Sequence, residues 1–187
     1  MRVQVLTEDF KTPFGELVLA SFNGELVLCD WKYRKMRTSI DNRIKKGIEA
    51  MVRASGFEKN QTQNIDSLIL EQTRTQLNEY FEGNRTDFNI PVRAIATDFQ
   101  ERVWDALCEI PFGETRTYLQ LSEILGDTKA IRAVASANGA NAHSIIIPCH
   151  RVIGSNGELT GYAGGLPAKQ KLLELENPNR KSQLDLF

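Results

Sequence analysis

A cysteine, a histidine and an arginine stand side by side at Cys149-His150-Arg151, directly behind the apolar run Ile145-Ile146-Ile147 and Pro148. Together they offer a nucleophile, a proton acceptor and a fixed cation, the parts of a reactive-thiol site. An unperturbed thiol has a pKa of about 8.5 and is roughly 3% ionised at neutral pH, so bringing it to the working pH needs about 2 kcal/mol of preferential anion stabilisation. A proton-accepting imidazole and a nearby guanidinium can supply that much. The same residue types also suit an inert core cysteine beside a hydrogen-bonded histidine. Neighbours on an extended strand point to opposite faces, so His150 reaches the sulfur only if the chain turns after Pro148.

The elements that must place these groups can be read from the pattern around them. Three consecutive β-branched residues predict a fully buried strand, and the proline behind them stops its pairing, so the strand is expected to deliver Cys149 to a buried edge. Upstream, Thr97 to Gln100 forms a capping-box pattern ahead of Phe99, Val103, Ala106, Leu107 and Ile110 on one helical face, with Pro111 and Gly113 ending the helix. A second such pattern, Thr117 to Gln120, starts a short helix with Leu121, Ile124 and Leu125 that stops at Gly126. A third helix runs through Ala130, Ala133, Val134 and Ala137, and the last two make a helix-turn-helix. Its second helix is slim: Ala130, Ala133, Ala135, Ser136, Ala137 and Gly139 leave Arg132 as the one long cation. Small residues with a single cation suit close entry into a narrow minor groove, though they serve tight helix packing as well.

The first thirty residues alternate in short segments, Val3-Leu6, Glu16-Ser21 and Leu26-Cys29, divided by Pro13-Phe14-Gly15 and by the hairpin signal Asn23-Gly24, which predicts an antiparallel sheet. A helix beginning at Asp66 or Ser67, with Leu70, Thr73, Leu77, Tyr80 and Phe81 on one face and Gly83-Asn84 as its stop, is expected to cover the sheet. The extended, polar run from Thr86 to Ile95 reads as a linker. The fold class is therefore α+β, divided into an N-terminal domain with linker over residues 1–93, a mostly helical domain over 94–178 and a tail over 179–187.

At 187 residues with 41% hydrophobic content, the chain can build packed cores. No leader and no membrane-spanning stretch is visible, and the three scattered cysteines, Cys29, Cys108 and Cys149, fit free thiols, so a cytoplasmic location is expected. No paired-cysteine spacing exists and both histidines lie close to Cys149, so no metal is expected. Net charge is −1, which gives no global sign of nucleic-acid binding. Between Trp31 and Lys59, however, nine Lys or Arg stand against Asp41, Glu49 and Glu58, a run that reads as a solvated helix face or a phosphate-facing patch.

Pro148-Cys149-His150-Arg151-Val152, with Asn141 before it, Gly161-Tyr162-Ala163-Gly164-Gly165 after it and Leu172-Leu173-Glu174-Leu175-Glu176 closing, resembles the O6-alkylguanine-DNA alkyltransferases, and most closely their stand-alone bacterial members. The resemblance is dense from Phe99 to Glu176 and looser over residues 1–93, where Thr12-Pro13-Phe14-Gly15 carries it. It implies a ribonuclease-H-like N-terminal domain and a winged-helix-like C-terminal one. It further implies irreversible transfer of an alkyl group from O6-alkylguanine in double-stranded DNA to the protein's own cysteine, once per molecule, without a cofactor. By resemblance, Cys149 is the acceptor, His150 the base that relays the thiol proton through water, and Glu176 the carboxylate that orients that histidine. Arg132 fills the base stack, with Ala133, Ser136 and Ala137 beside it against DNA. Tyr118 rotates the nucleotide and hydrogen-bonds the departing guanine, and Asn141 is the hinge between recognition helix and cysteine segment. Tyr162 and the backbones of Val152 and Ala163 wall the alkylguanine pocket. Ser144 and Asn138 depart from other members near that pocket, which leaves the range of alkyl groups open.

The terminal run Gln183-Leu184-Asp185-Leu186-Phe187 resembles a bacterial sliding-clamp-binding motif, with Gln183 hydrogen-bonded and Leu184, Leu186 and Phe187 as apolar anchors. A monomer with no membrane association is expected. Two other functions would use the same residues: a helix-turn-helix binder of lesions or operators that does no chemistry, and a cysteine hydrolase built on Cys149, His150 and Glu176.

Overall fold

The computed structural model describes residues 4–55 and 63–180. Strands β1 (Leu6–Thr12), β2 (Gly15–Phe22) and β3 (Glu25–Trp31) form an antiparallel sheet in that order. Asn23 and Gly24 join β2 to β3 with φ of +55° and +77°, the pair of left-handed positions that an Asn-Gly hairpin requires. The first strand lies later than the alternation of Val3 to Leu6 suggests. It is a charged edge strand whose Glu8 and Asp9 pair with Arg74 and Lys32, and those charges hide its period in the sequence.

Two helices sandwich this sheet, where one was expected. Helix α2 (Gln63–Phe81) packs Leu70, Leu77 and Tyr80 against Leu17, Leu19 and Leu26. It begins before Asp66, whose buried carboxylate accepts bonds from Ser21 Oγ and Gly24 N, both at 2.8 Å, and so ties the helix to the hairpin. Helix α1 (Arg37–Ser55) covers the other face, burying Ile40, Ile44 and Ile48 on Ala20, Phe22 and Leu28. The i, i+4, i+8 spacing of those isoleucines was masked by the surrounding lysines and arginines. The basic run is therefore in part a core helix, and Arg34 within it is buried.

Beyond the sheet, α3 (Asp98–Cys108) and α4 (Tyr118–Ile124) each start at a complete capping box, on Thr97 and Thr117, as the sequence predicts. Such a cap contributes about 1 kcal/mol. After the turn at Gly126 comes α5 (Ile131–Gly139), and α4 and α5 form the helix-turn-helix. Val103, Leu107, Leu121 and Val134 fill the helical core, whereas Ile124, expected on that face, is exposed. Short strands β4 (Arg116–Thr117) and β5 (Val152–Ile153) pair in parallel, and α6 (Leu166–Glu176) closes the fold.

Residues 145–147 are not a strand. Ile147 N donates to His143 O at 2.8 Å, closing a turn in which buried Ile145 has φ of +75°. A β-branched residue there costs about 1–2 kcal/mol. The reason lies in where the three side chains go. Ile145 enters the core between sheet and α2, Ile146 packs against that core's edge, and Ile147 enters the helical core, so the run spans two cores.

Edge β3 carries the joint between the two halves. The expected linker bonds to it at one end, through Leu26 N to Pro91 O and Arg93 N to Leu26 O. At the other, Cys29 N donates to Ala142 O at 2.9 Å. His143 is fully enclosed here, its Nε2 donating to Leu26 O at 3.2 Å while Nδ1 has no partner among the described residues. Burial lowers its pKa from 6.5 to about 4. The unfolded chain therefore takes up the proton first, and stability should hold above pH 6.5 and fall as pH drops towards 4. Between those limits this group alone removes roughly 3 kcal/mol. Urea unfolding at pH 7.5, 6 and 5 checks this: the fall should be shallower in His143→Gln, and an equal fall in that variant would show that another group is responsible.

Candidate active site

Pro148 is followed by a single 3-10 turn, Cys149–Arg151, so the chain bends directly after the proline. Cys149 is 3% exposed and lies at the base of a cleft of about 710 Å³. One wall comes from the N-terminal half, through Phe14, Trp31, Tyr33 and Arg34; the other comes from the end of α5 and the Gly161–Leu166 loop. Burial raises the Cys149 pKa to about 11, and Asp30 pushes the same way. The Asn141 side chain and the charges of Lys169 and Arg34 act in the opposite sense without overcoming it. The resting sulfur is thus a neutral thiol, contrary to the pre-ionised thiol suggested by the sequence, and its ionisation must accompany proton transfer to a base.

Arg151 is not the cation for this sulfur. Its Nε and Nη2 donate to the Glu176 carboxylate at 2.8 and 3.0 Å, and Nη1 donates to Ile110 O at 2.7 Å. His150 Nε2 donates to Glu176 Oε1 at 2.8 Å, and Tyr80 Oη donates to that same oxygen at 2.8 Å. Gly113 N donates to Oε2 at 3.3 Å. Burial pushes the Glu176 carboxyl upward, but the His150 hydrogen bond and Arg151 outweigh it and hold the group well below the usual carboxylate range. Burial lowers the His150 pKa despite Glu176 pulling it up, so the imidazole is neutral with its proton on Nε2. Its Nδ1 is then an unprotonated base, buried and without a hydrogen-bond partner among the described residues.

Along α5, Arg132, Ala133 and Ser136 are exposed on one face, and Arg132 has no ion-pair partner among the described residues. Ala137 is placed otherwise than expected: it is 3% exposed, packs in the helical core and accepts a bond from Trp104 Nε1 at 2.9 Å. Part of the slimness of this helix is therefore tight packing, as its small residues also allow. Tyr118, first residue of α4, is half-buried, and its hydroxyl accepts from Asn138 Nδ2 at 3.4 Å. Burial raises its pKa, with Cys149 acting in the same direction, so the phenol keeps its proton. Asn141 bridges recognition helix and cysteine segment, its Nδ2 donating to Ile147 O and its Oδ1 accepting from His143 N.

Tyr162 and Ala163 line the cleft, and the Tyr162 ring stands edge-on 5.9 Å from Trp31 and 6.3 Å from His150. Val152 is fully buried and is not among the cleft-lining residues; its N–H donates to Cys149 O and its carbonyl accepts Lys169 Nζ at 2.5 Å. Four contributors were not foreseen. Lys169, Tyr80, Trp31 and Arg34 reach the site from α6, α2, β3 and the turn after β3, and nothing local marks them, because long-range packing brings them in. Gly164 shows how tight that packing is: a Cβ there would lie 2.5 Å from the Trp31 ring. The run Gln183–Phe187 lies outside the described residues.

A buried thiol in a cleft, a neutral histidine fixed by a carboxylate behind it, and an exposed recognition helix beside it define a cysteine acceptor coupled to a nucleic-acid reader. Comparison with known proteins gives the family. The model described as "6-O-methylguanine DNA methyltransferase, ribonuclease-like domain" matches residues 5–94, and its DNA-binding-domain counterpart matches residues 98–178. The chain belongs to the 6-O-methylguanine DNA methyltransferase family. A methylated-DNA–protein-cysteine methyltransferase of Mycobacterium tuberculosis is 52% identical over 112 residues, covering 60% of this chain and 68% of that protein. One of Methanosarcina barkeri is 55% identical over 111 residues, 59% of this chain and 70% of that one. The crystal structure of the M. tuberculosis O6-methylguanine methyltransferase superposes with a TM-score of 0.71 at 36% identity, covering 98% of this chain and 99% of that one. The structure of M. tuberculosis OGT in complex with DNA gives 0.71 at 36% identity, with 91% of each chain covered.

Proposed function

We propose that the protein repairs DNA by moving an alkyl group from O6 of guanine to Cys149, once per molecule. The observation that carries this reading is what stands beside the cleft-lining Cys149: its chain neighbour His150 has one ring nitrogen fixed by Glu176 and an Nδ1 without a partner among the described residues. The thiol proton passes through a water to His150 Nδ1 as sulfur attacks the alkyl carbon; the S–C bond forms, the C–O6 bond breaks, and the electron pair leaves on guanine oxygen. Tyr118, still protonated, hydrogen-bonds the departing guanine until it takes up a proton. A thioether is a poor leaving group, so the product remains attached and no second turnover follows. No step draws on a cofactor.

For the groove side, the exposed face of Arg132, Ala133 and Ser136 supports minor-groove entry, with Arg132 occupying the stack left by the extruded base. Ala137 acts from beneath this face, by letting α5 pack closely. Asn141 serves as the hinge, and Tyr162 with Ala163 walls the base, while Val152 supports that wall through its bond to Lys169. The division into residues 1–93, 94–178 and a tail from 179 is part of the same reading, as are a monomeric state and a cytoplasmic location. The tail residues Gln183, Leu184, Leu186 and Phe187 dock on the replication sliding clamp. Deleting residues 183–187 should abolish clamp binding and spare alkyl transfer; unchanged clamp affinity would remove that part.

The function is checked by mass. Duplex DNA carrying O6-methylguanine should add one methyl group to the Cys149 peptide and consume one protein per lesion, and Cys149→Ser should accept none. His150→Ala should slow transfer by roughly 10²- to 10⁴-fold, the range for a lost general base. A protein that binds the lesion without gaining mass would be a binder, and one that turns over would be a hydrolase; either result rejects the proposal.

A further inference from the structure

The carbonyls at the C-terminal end of α5 are held from across the molecule. Arg34 Nη2 donates to Gly139 O at 2.5 Å and its Nη1 to Asn141 O at 2.8 Å, while Arg43 Nη2 donates to Ala140 O at 2.8 Å. Unpaired carbonyls at a helix end carry partial negative charge, and cations complement them. Arg34 Nη1 also donates to Asp30 Oδ2 at 2.7 Å, with both side chains buried, and Asp30 Oδ1 accepts Ser144 Oγ at 3.0 Å. One ion pair thus touches residues 139, 141 and 144 together. Between them, the Asn141 side chain fixes both His143 N and Ile147 O, the two ends of the turn that precedes Cys149.

A buried ion pair is a weak device for stability, since apolar side chains of like volume often serve as well. What a guanidinium adds is direction, because its planar fork fixes several acceptors at set angles. Arg34 also lines the cleft with Asn141 and Cys149, and its two Nη groups are engaged by the Asp30 carboxylate and by the carbonyls of Gly139 and Asn141. We propose that Arg34, oriented by Asp30, is a positioning residue that locks the exposed face of α5 and the Cys149 turn into one register. A duplex seated on α5 then presents its extruded base at the sulfur. This deepens the function proposed above and rests on it.

The test separates register from fold and from the sulfur's own reactivity. Asp30→Asn with Arg34→Gln removes both charges and leaves no lone buried ion; Arg34→Lys keeps the charge pair but loses the fork. In either variant the first-order rate of methyl transfer at saturating O6-methylguanine duplex should fall by roughly 10- to 100-fold, the scale of a small misplacement, and the loss with the free base O6-methylguanine should be smaller by at least about threefold. Where the double variant loses cooperative unfolding, Arg34→Lys carries the test. Wild-type transfer to duplex in a folded variant would overturn the proposal, as would equal losses with duplex and with free base. A wild-type protein that accepts no alkyl group would instead overturn the function beneath it.

Discussion

A carboxylate with no exposed surface survives in a protein only where charge and hydrogen bonds replace the water it has lost, and Glu176 is where this molecule meets that demand. Stripping an ion of water costs several kcal/mol even after relaxation. Five donated hydrogen bonds answer it, from Tyr80, Gly113, His150 and twice from Arg151. The donors belong to α2, the loop after α3 and the 3-10 turn, so satisfying one charge brings three distant pieces of chain into contact. The same charge holds the proton of His150 on Nε2, and the other ring nitrogen is left free to act as a base.

The cleft follows from how the two halves meet. Edge β3 binds residues 91–93 at one end and residue 142 at the other, so the segment carrying the cysteine is laid against the sheet before it turns. Trp31 and Arg34, at the end of β3 and just beyond it, become one wall, and the tight contact of Gly164 with the Trp31 ring draws the Tyr162 loop across to make the other. Cys149 at the base is desolvated by both walls. That desolvation keeps the sulfur protonated at rest, which suits a nucleophile that can act only once.

Where an element depends on local chemistry, the sequence states it openly: both capping boxes and the Asn23-Gly24 turn lie where their residues predict. The pairing of His150 with Glu176 was legible through the family's motif, because the motif records a geometry that spacing alone does not. Elements that depend on distant partners were less readable. Ile145-Ile146-Ile147 carries the composition of a strand but finds no strand to pair with, and its side chains are shared between two cores. The isoleucines of α1 sit inside a basic run that looks solvated, and Ala137 is small because it is buried, whereas Ala133 is small and exposed. Arg151 stands next to His150 in sequence yet serves the carboxylate behind it, and the charges that do reach the sulfur come from Arg34 and Lys169, far away along the chain.

The central claim concerns one proton. Nitrogen-15 chemical shifts of the two histidines, assigned with a His150 variant and followed from pH 6 to 9, report it directly. His150 should show a protonated Nε2 and an unprotonated Nδ1 throughout that range. An imidazolium at neutral pH, or a proton on Nδ1, would leave His150 no free nitrogen to take the thiol proton and would contradict the account.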